Sequence, residues 1–402
     1  MRVEDVDLTD PDLFVAGVPH EAFRVLRREA PVYWHPEREG PGFWAVTRHD
    51  DVVHVSKRPD LFSSHRGGTN LFDVPAADLE ITRTLLINMD PPQHVKFRRL
   101  VRQGFTPNRV RLLLPRVRAR AAALVDALAL KGECDFVREV AAELPLQVIA
   151  ELMGIPQDDR ARIFDLSNRL IGFDDPEFQN SLEDGKQAAA EMWLYAHGLA
   201  AGRKSGDGDD LVSALMRAEV DGHRISELEF NNFFLLLAVA GNETARNLLS
   251  GAIQALIEHP DQWRRLQRDR SLLDTAVEEF LRWVTPVMHF RRTATRDVEL
   301  RDQRIREGQK VVMFYPAANR DEHAFELPDR FDVARADNPH LALGIGEHYC
   351  MGANLARMEI RVLFEELLRR VPELELAGPV RRLRSCFISG IKTMPVRVVA
   401  ED

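Results

Sequence analysis

From Ser226 to His259 the chain reads SELEFNNFFLLLAVAGNETARNLLSGAIQALIEH, and its apolar residues cover most faces of a helix instead of a single stripe. A helix that is apolar all round has to be enclosed on every side. The segment therefore predicts a large helical body built around one central helix. Ser226 and Glu229 stand as a capping box at its start, and His259-Pro260 closes it. With 402 residues, 45% of them hydrophobic, the chain can bury such a core without disulfide staples.

Around that element, periodicity predicts helices over 94–128, 138–154, 158–171, 181–203, 209–220, 261–283 (as two) and 351–371. Breaks are expected near Thr106-Pro107, at Pro115 and in the polar run GRKSGDGDD at 202–210. Strand character is confined to VYW at 32–34, FWAVTRHDDVV at 43–53, alternating stretches within 288–314 and a terminal hairpin over 382–400. Residues 59–92 and 316–340 lack periodicity and read as loops, the first with room for one short helix. No repeat or interdomain linker is visible. The expectation is a mainly α fold with a minor β portion, organised as a single domain over 1–402.

The formal charge of -9 offers no concentrated positive field for a phosphate backbone, so nucleic acid is not an expected partner. The start, MRVEDVDLTDPDLF, lacks the basic and apolar zones of a signal peptide. The longest strongly apolar run, 233–241, is too short to cross a bilayer, and no membrane anchor is expected. Cys134, Cys350 and Cys386 are odd in number and far apart, which writes neither a disulfide frame nor a CxxC zinc site. A reducing cytoplasm is the expected compartment.

The sharpest local pattern is HLALGIGEHYCMGANLARME at 340–359. Gly344 and Gly346 permit turns that a side chain would strain, and Cys350 then stands just before Gly352 and an apolar-periodic helix. A thiolate near a helix start gains from the dipole and free N–H groups there. It can act as a nucleophile or as the single sulfur ligand of a haem iron; packed as a small hydrophobe it would do neither. In the central helix, Gly241 removes bulk and Thr244 can turn its hydroxyl onto a preceding carbonyl. Glu243 with Thr244 reads as a proton-delivery pair in an apolar setting, or as a polar flaw whose members satisfy one another. In DTAVEEFLRWV both Glu278 and Glu279 are spaced to reach Arg282. His94 and Arg98 share a face at the start of a basic helix.

These segments resemble the signatures of the cytochrome P450 family. Leu343, Gly344, Gly346, His348, Cys350 and Gly352 match FGxGxHxCxG, with leucine where the family usually has phenylalanine. Ala240, Gly241, Glu243 and Thr244 match AGx(D/E)T, Glu279 and Arg282 match ExxR, and FELPDRFD resembles the meander. They occur in the family's order and, with MDPPQHVKFRR at 89–99 and GIKTMPV near the end, span nearly the whole chain. The resemblance implies the mostly helical cytochrome P450 fold, with haem b (iron protoporphyrin IX) between the central helix and the cysteine loop and Cys350 as the metal ligand. Leu343, Gly344, Gly352, Ala240 and Gly241 would lie against it. His94, Arg98, Arg292 and His348 would serve its propionates, with Arg291 a competitor for Arg292. Glu243 and Thr244 would be catalytic in delivering protons to reduced oxygen, and Glu279, Arg282 and Arg330 would form a buried structural cluster.

The implied reaction inserts one oxygen atom of O2 into a hydrophobic small molecule and reduces the other to water. No flavin or nicotinamide region is visible, so a ferredoxin and its ferredoxin reductase using NAD(P)H are the expected electron donors, with Arg102, Arg109 and Arg357 candidates for the docking face. Leu236, Leu237, Ala240, Val287 and Ile388 are expected to shape the substrate pocket, along with the loop at 66–88 and residues 171–178. HFRRTATRDVEL and VVMFYPAANRDE resemble bacterial members acting on sterols, branched lipids or terpenoids, which points to a steroid or terpenoid substrate; a monomer is expected. The alternatives are a peroxide-dependent P450, a substrate isomerase and, outside enzymes, a haem sensor.

Overall fold

The computed structural model describes residues 1–179, 181–203, 210–220 and 222–399. Helix accounts for 55% of the chain and strand for 13%, the mainly α balance that the periodicity predicts. The capping box forms: Glu229 N–H donates to Ser226 Oγ at 3.3 Å, and Ser226 N–H to Glu229 Oε2 at 2.8 Å. From it the central helix runs from Glu227 to Glu258, about 48 Å at 1.5 Å per residue. Helices Glu143–Met153, Arg160–Ile171, Leu182–Ala201 and Leu273–Val284 pack along it, so its apolar faces are enclosed by protein. Helix Ala353–Arg370 lies against Pro107–Lys131 and Leu273–Val284.

The main sheet has five strands. Val32–His35 runs antiparallel to Phe43–Val46, which is parallel to Lys310–Phe314. Next comes His289–Ala294, antiparallel, and finally Phe62–Ser63. The register sets Val311 opposite Arg292, which holds that arginine on an interior strand.

Four expectations are corrected. The strand foreseen over 43–53 ends at Val46, and helix His49–Lys57 follows. Asp50 and Asp51 suit a helix's first turn, where acidic side chains meet the positive dipole end. Asp321 also accepts the His49 N–H at 2.8 Å, satisfying a donor that a helix start leaves free. Helix His20–Glu29 forms where the sequence predicts none, burying Ala22, Phe23 and Leu26. Pro115 does not interrupt Pro107–Lys131; it is exposed, so the carbonyl it leaves unbonded faces water. The terminal hairpin is also redistributed. Pro395–Val399 pairs with Glu373–Leu376 and Glu133–Asp135, whereas Ile391–Thr393 pairs with Arg381–Arg382. The polar break at 202–210 falls largely on residues 204–209, outside the described residues. Among the described residues no helix is long and apolar enough to cross a membrane.

Candidate active site

A cavity opens between the middle of the central helix and the loop before Ala353–Arg370. On one side stand Leu236, Leu237, Ala240, Gly241 and Thr244; on the other, Leu343, Gly344, His348, Cys350 and Gly352. Gly344 (φ +68°) and Gly346 (φ +75°) both adopt left-handed backbone, the conformation that glycine alone takes without strain. A β-carbon on Gly346 would also come within 2.9 Å of the Ser56 carbonyl oxygen. The turn they make lets Cys350 N–H donate to Leu343 O at 2.8 Å.

Cys350 therefore lines the cavity from a fixed backbone. Burial pushes this thiol up, against the pull of the Gly352 N–H and the Arg98 and Arg357 cations. A bound cation would reverse that balance, because coordination deprotonates a thiol outright. Cys134 and Cys386, by contrast, are buried.

Across the cavity, Thr244 Oγ1 donates to Ala240 O at 2.7 Å while the helix continues unbroken. The hydroxyl bond to a preceding carbonyl thus forms without loosening the turn. Gly241 serves a close approach instead: a β-carbon there would fall 2.7 Å from Ile149 Cδ1. Glu243 does not face the cavity. It points away, fully buried, into an ion pair with Arg246, whose Nη1 donates to Asn168 Oδ1 at 2.9 Å. Burial pushes the Glu243 carboxyl up, against the pull of Arg246. The two members of the foreseen proton pair are thus separated, Thr244 in the cavity and Glu243 behind it.

At one edge the cavity gathers His94, Arg98, Arg292 and His348. The rings of His94 and His348 lie 4.2 Å apart. Burial, reinforced by the neighbouring Arg98, brings His94 down to about 4, and burial with Arg292 holds His348 well below the ordinary histidine range. Neither ring nitrogen of His94 has a hydrogen-bond partner among the described residues. Arg292 donates to Arg291 O at 2.8 Å, and Arg98 to Tyr349 O. Arg291 turns elsewhere, to Asp73 at 2.6 Å, and it is Arg292 that lines the cavity.

Two cations bonded to carbonyl oxygens and a buried histidine with both nitrogens unmet form a set of unspent donors. A flat group bearing two carboxylate arms, with a metal centre reaching Cys350, fits them. Among the described residues no group of three His, Cys, Asp or Glu side chains could hold a metal by itself.

Below this edge, Glu279 and Arg282 are fully buried and joined by bonds of 2.7 and 2.8 Å. The third member is Arg335, with Nε 3.2 Å from Glu279 Oε2, and not Arg330. Arg330 has a side chain 57% exposed and contributes only its carbonyl oxygen, which accepts from Arg282 at 3.1 Å. Glu278 turns to Arg357, so Arg357 is committed to a carboxylate, while Arg102 is exposed.

Val287 lines the cavity, but Ile388 does not. Ile388 forms a backbone bridge to Val287 and packs with Ile171 and Leu383, a layer behind. The lining also includes Leu86, Ile87, Phe233, Phe290, Tyr315 and Glu359, none singled out individually from sequence. Leu86 and Ile87 lie within the loop read as pocket-forming. Glu359 carries a signal only in hindsight: a carboxylate on the apolar-periodic face of its helix. It is buried with no hydrogen bond or ion pair among the described residues, and burial pushes its carboxyl up to about 8.

The family model described as Cytochrome P450 matches residues 146–372. A steroid C26-monooxygenase of Rhodococcus jostii is 43% identical over 98% of this chain and 84% of its own length. Linalool 8-monooxygenase of Pseudomonas putida is 40% identical over 99% of this chain and all of its own. A Mycobacterium marinum cytochrome P450 solved in complex with pseudoionone superposes with a TM-score of 0.91 at 40% identity, covering 98% of both chains.

Proposed function

The chain belongs to the cytochrome P450 family of haem-thiolate monooxygenases, and from that premise we propose that residues 1–402 form a single haem b domain that hydroxylates a steroid- or terpenoid-like substrate with electrons from a ferredoxin. The observation that carries this reading is that Cys350 and Thr244 line one cavity from opposite sides, with the central-helix side otherwise apolar at Phe233, Leu236, Leu237, Ala240 and Leu248. Haem, when bound, supplies the oxidising chemistry: reductive activation of O2 for insertion of one oxygen atom into a C–H bond.

The chain's own residues do the remainder. Cys350 would hold the metal and supply it with thiolate charge. His94, Arg98, Arg292 and His348 would receive the propionates, where burial would strengthen each charge-assisted bond. Leu86, Ile87, Phe233, Leu236, Leu237, Val287 and Phe290 give a hydrocarbon an apolar wall beside Thr244, so a substrate is oriented mainly by shape and apolar area. Thr244 lines the cavity with its hydroxyl proton donated to Ala240 O, from which it would have to turn to serve a ligand, and Glu243 is the nearest acid in sequence to resupply it.

The relatives named for steroids and for linalool, and the solved complex with pseudoionone, support an apolar cyclic or isoprenoid ligand. Purified enzyme supplied with ferredoxin, ferredoxin reductase, NAD(P)H and O2 is expected to hydroxylate such compounds. The turning away of Glu243 gives the peroxide-dependent alternative its one supporting observation. Product with hydrogen peroxide but none with the electron-transfer chain would establish that alternative and overturn the monooxygenase reading.

A further inference from the structure

Glu278 and Glu279 are neighbours on helix Leu273–Val284, yet each serves a different arginine. Glu279 binds Arg282 and Arg335 in the interior. Glu278 takes Arg357 of the cysteine helix through two bonds, Nε–Oε1 at 2.6 Å and Nη2–Oε2 at 2.7 Å. Its second partner is His340, whose tautomer is set by the backbone: Ala342 N–H donates to His340 Nδ1 at 3.3 Å, which leaves Nε2 as the donor to Glu278 Oε2 at 3.0 Å. The remaining nitrogen of Arg357, Nη1, donates to the Tyr349 hydroxyl at 3.0 Å.

His340 and Tyr349 border the loop that presents Cys350. One carboxylate is therefore bonded to both flanks of that loop, directly on one side and through Arg357 on the other. His340 has a side chain only 3% exposed, so without Glu278 its Nε2 donor would be stranded. Arg357 acts on Cys350 as a positive charge, and the two-bond pair with Glu278 neutralises it. Loss of Glu278 would leave that charge unbalanced beside the sulfur and release the loop at both ends. Groups bonded to the surroundings of a metal ligand tune the ligand's basicity and the metal's affinity.

Resting on the haem-thiolate reading above, we propose that Glu278, acting through Arg357, Tyr349 and His340, is a positioning residue that fixes the Cys350 loop and balances the Arg357 cation, and so sets how strongly the thiolate donates to iron. The test compares haem-loaded parent and Glu278→Gln protein by midpoint potential and by the lifetime of the reduced carbon monoxide complex in its thiolate-ligated form. The variant is expected to show a more positive potential and a lifetime shorter by roughly 10-fold. Glu278→Gln combined with Arg357→Gln is expected to return the potential toward the parent value while the lifetime stays short, because the cation is gone but the flanks remain loose.

Parent values of both potential and lifetime in Glu278→Gln would overturn the proposal. Should that variant fail to load haem, Tyr349→Phe removes only the end of the arm, and an unchanged lifetime there would overturn it equally. A parent protein without the thiolate carbonyl band would instead defeat the haem-thiolate reading itself, before any variant is compared.

Discussion

Two segments spell the same pattern, glutamate followed three places later by arginine, and fold into different objects. In Glu279-Phe280-Leu281-Arg282 every polar atom of the pair is bonded. Glu279 also accepts from Asp332 N–H at 2.9 Å and Asn338 Nδ2 at 3.2 Å, and Arg282 donates to the carbonyl oxygens of Asn319, Pro328 and Arg330. In Glu243-Thr244-Ala245-Arg246 the support is thinner. Arg246 has Asn168 and the face of Phe164 at 5.4 Å, but its Nε and the adjacent Asn242 Oδ1 are buried without partners among the described residues. A buried ion pair is a rigid fastener only when its remaining hydrogen bonds are met. The pair at 279–282 meets that condition. The pair at 243–246 keeps a carboxyl that burial pushes toward its neutral form, the state that can give up a proton.

The contrast breaks most visibly at Glu279. Glu279→Gln should cost about 3–5 kcal/mol, because it strands buried arginines, with haem content falling alongside the melting temperature. A variant that melts like the parent would end the distinction.

Glu243→Gln should lose clearly less stability but slow ferredoxin-driven turnover by about 100-fold, the lower range for a lost acid–base group, with an enlarged solvent isotope effect. Equal stability losses at the two glutamates would erase the contrast. Arg335→Met and Arg330→Met sharpen the membership of the fastener. The first should cost about 1.5–3 kcal/mol, as for hydrogen bonds to a charged group, and the second less than about 0.5 kcal/mol, as for an exposed site, both read by denaturant unfolding.

A further effect is a pH dependence at Glu278. Burial raises this carboxyl, but the bonds from Arg357 and His340 outweigh it and bring it down to about 2 from an ordinary 4.5. A depressed carboxyl stabilises the fold above its unfolded value and loses that contribution as pH falls from 4.5 toward 2. The stability gap between parent and Glu278→Gln should close across this window. A gap independent of pH would show that the pair is not what depresses the group.

Much of this site is readable where function depends on backbone and chain order. The glycines before Cys350 need left-handed backbone, and a central helix apolar on all faces must be enclosed, so the cavity's two principal sides follow from local pattern. Side-chain direction is less legible. Nothing in AGNETARN says whether Glu243 turns to the cavity or to Arg246, because Asn168 and Phe164, from a distant segment, decide it. Arg330 and Arg335 lie in a stretch without periodicity, where spacing cannot aim a side chain. Ile388 is apolar and near the cavity, as its sequence context suggests, but its bridge to Val287 sets it one layer back. Helix His49–Lys57 is hidden because VV in HDDVV suits strands, and the Asp321 contact that supports the helix start comes from far along the chain.

The gathering of Arg98, Arg292 and the two histidines at one edge of the cavity also bears on how the enzyme is made. Desolvated cations without counter-ions oppose compaction, so the newly synthesised polypeptide should be weakest around this edge. A ligand that binds only the native form adds stability by mass action; yield in a producing cell should therefore follow porphyrin supply more closely than translation rate.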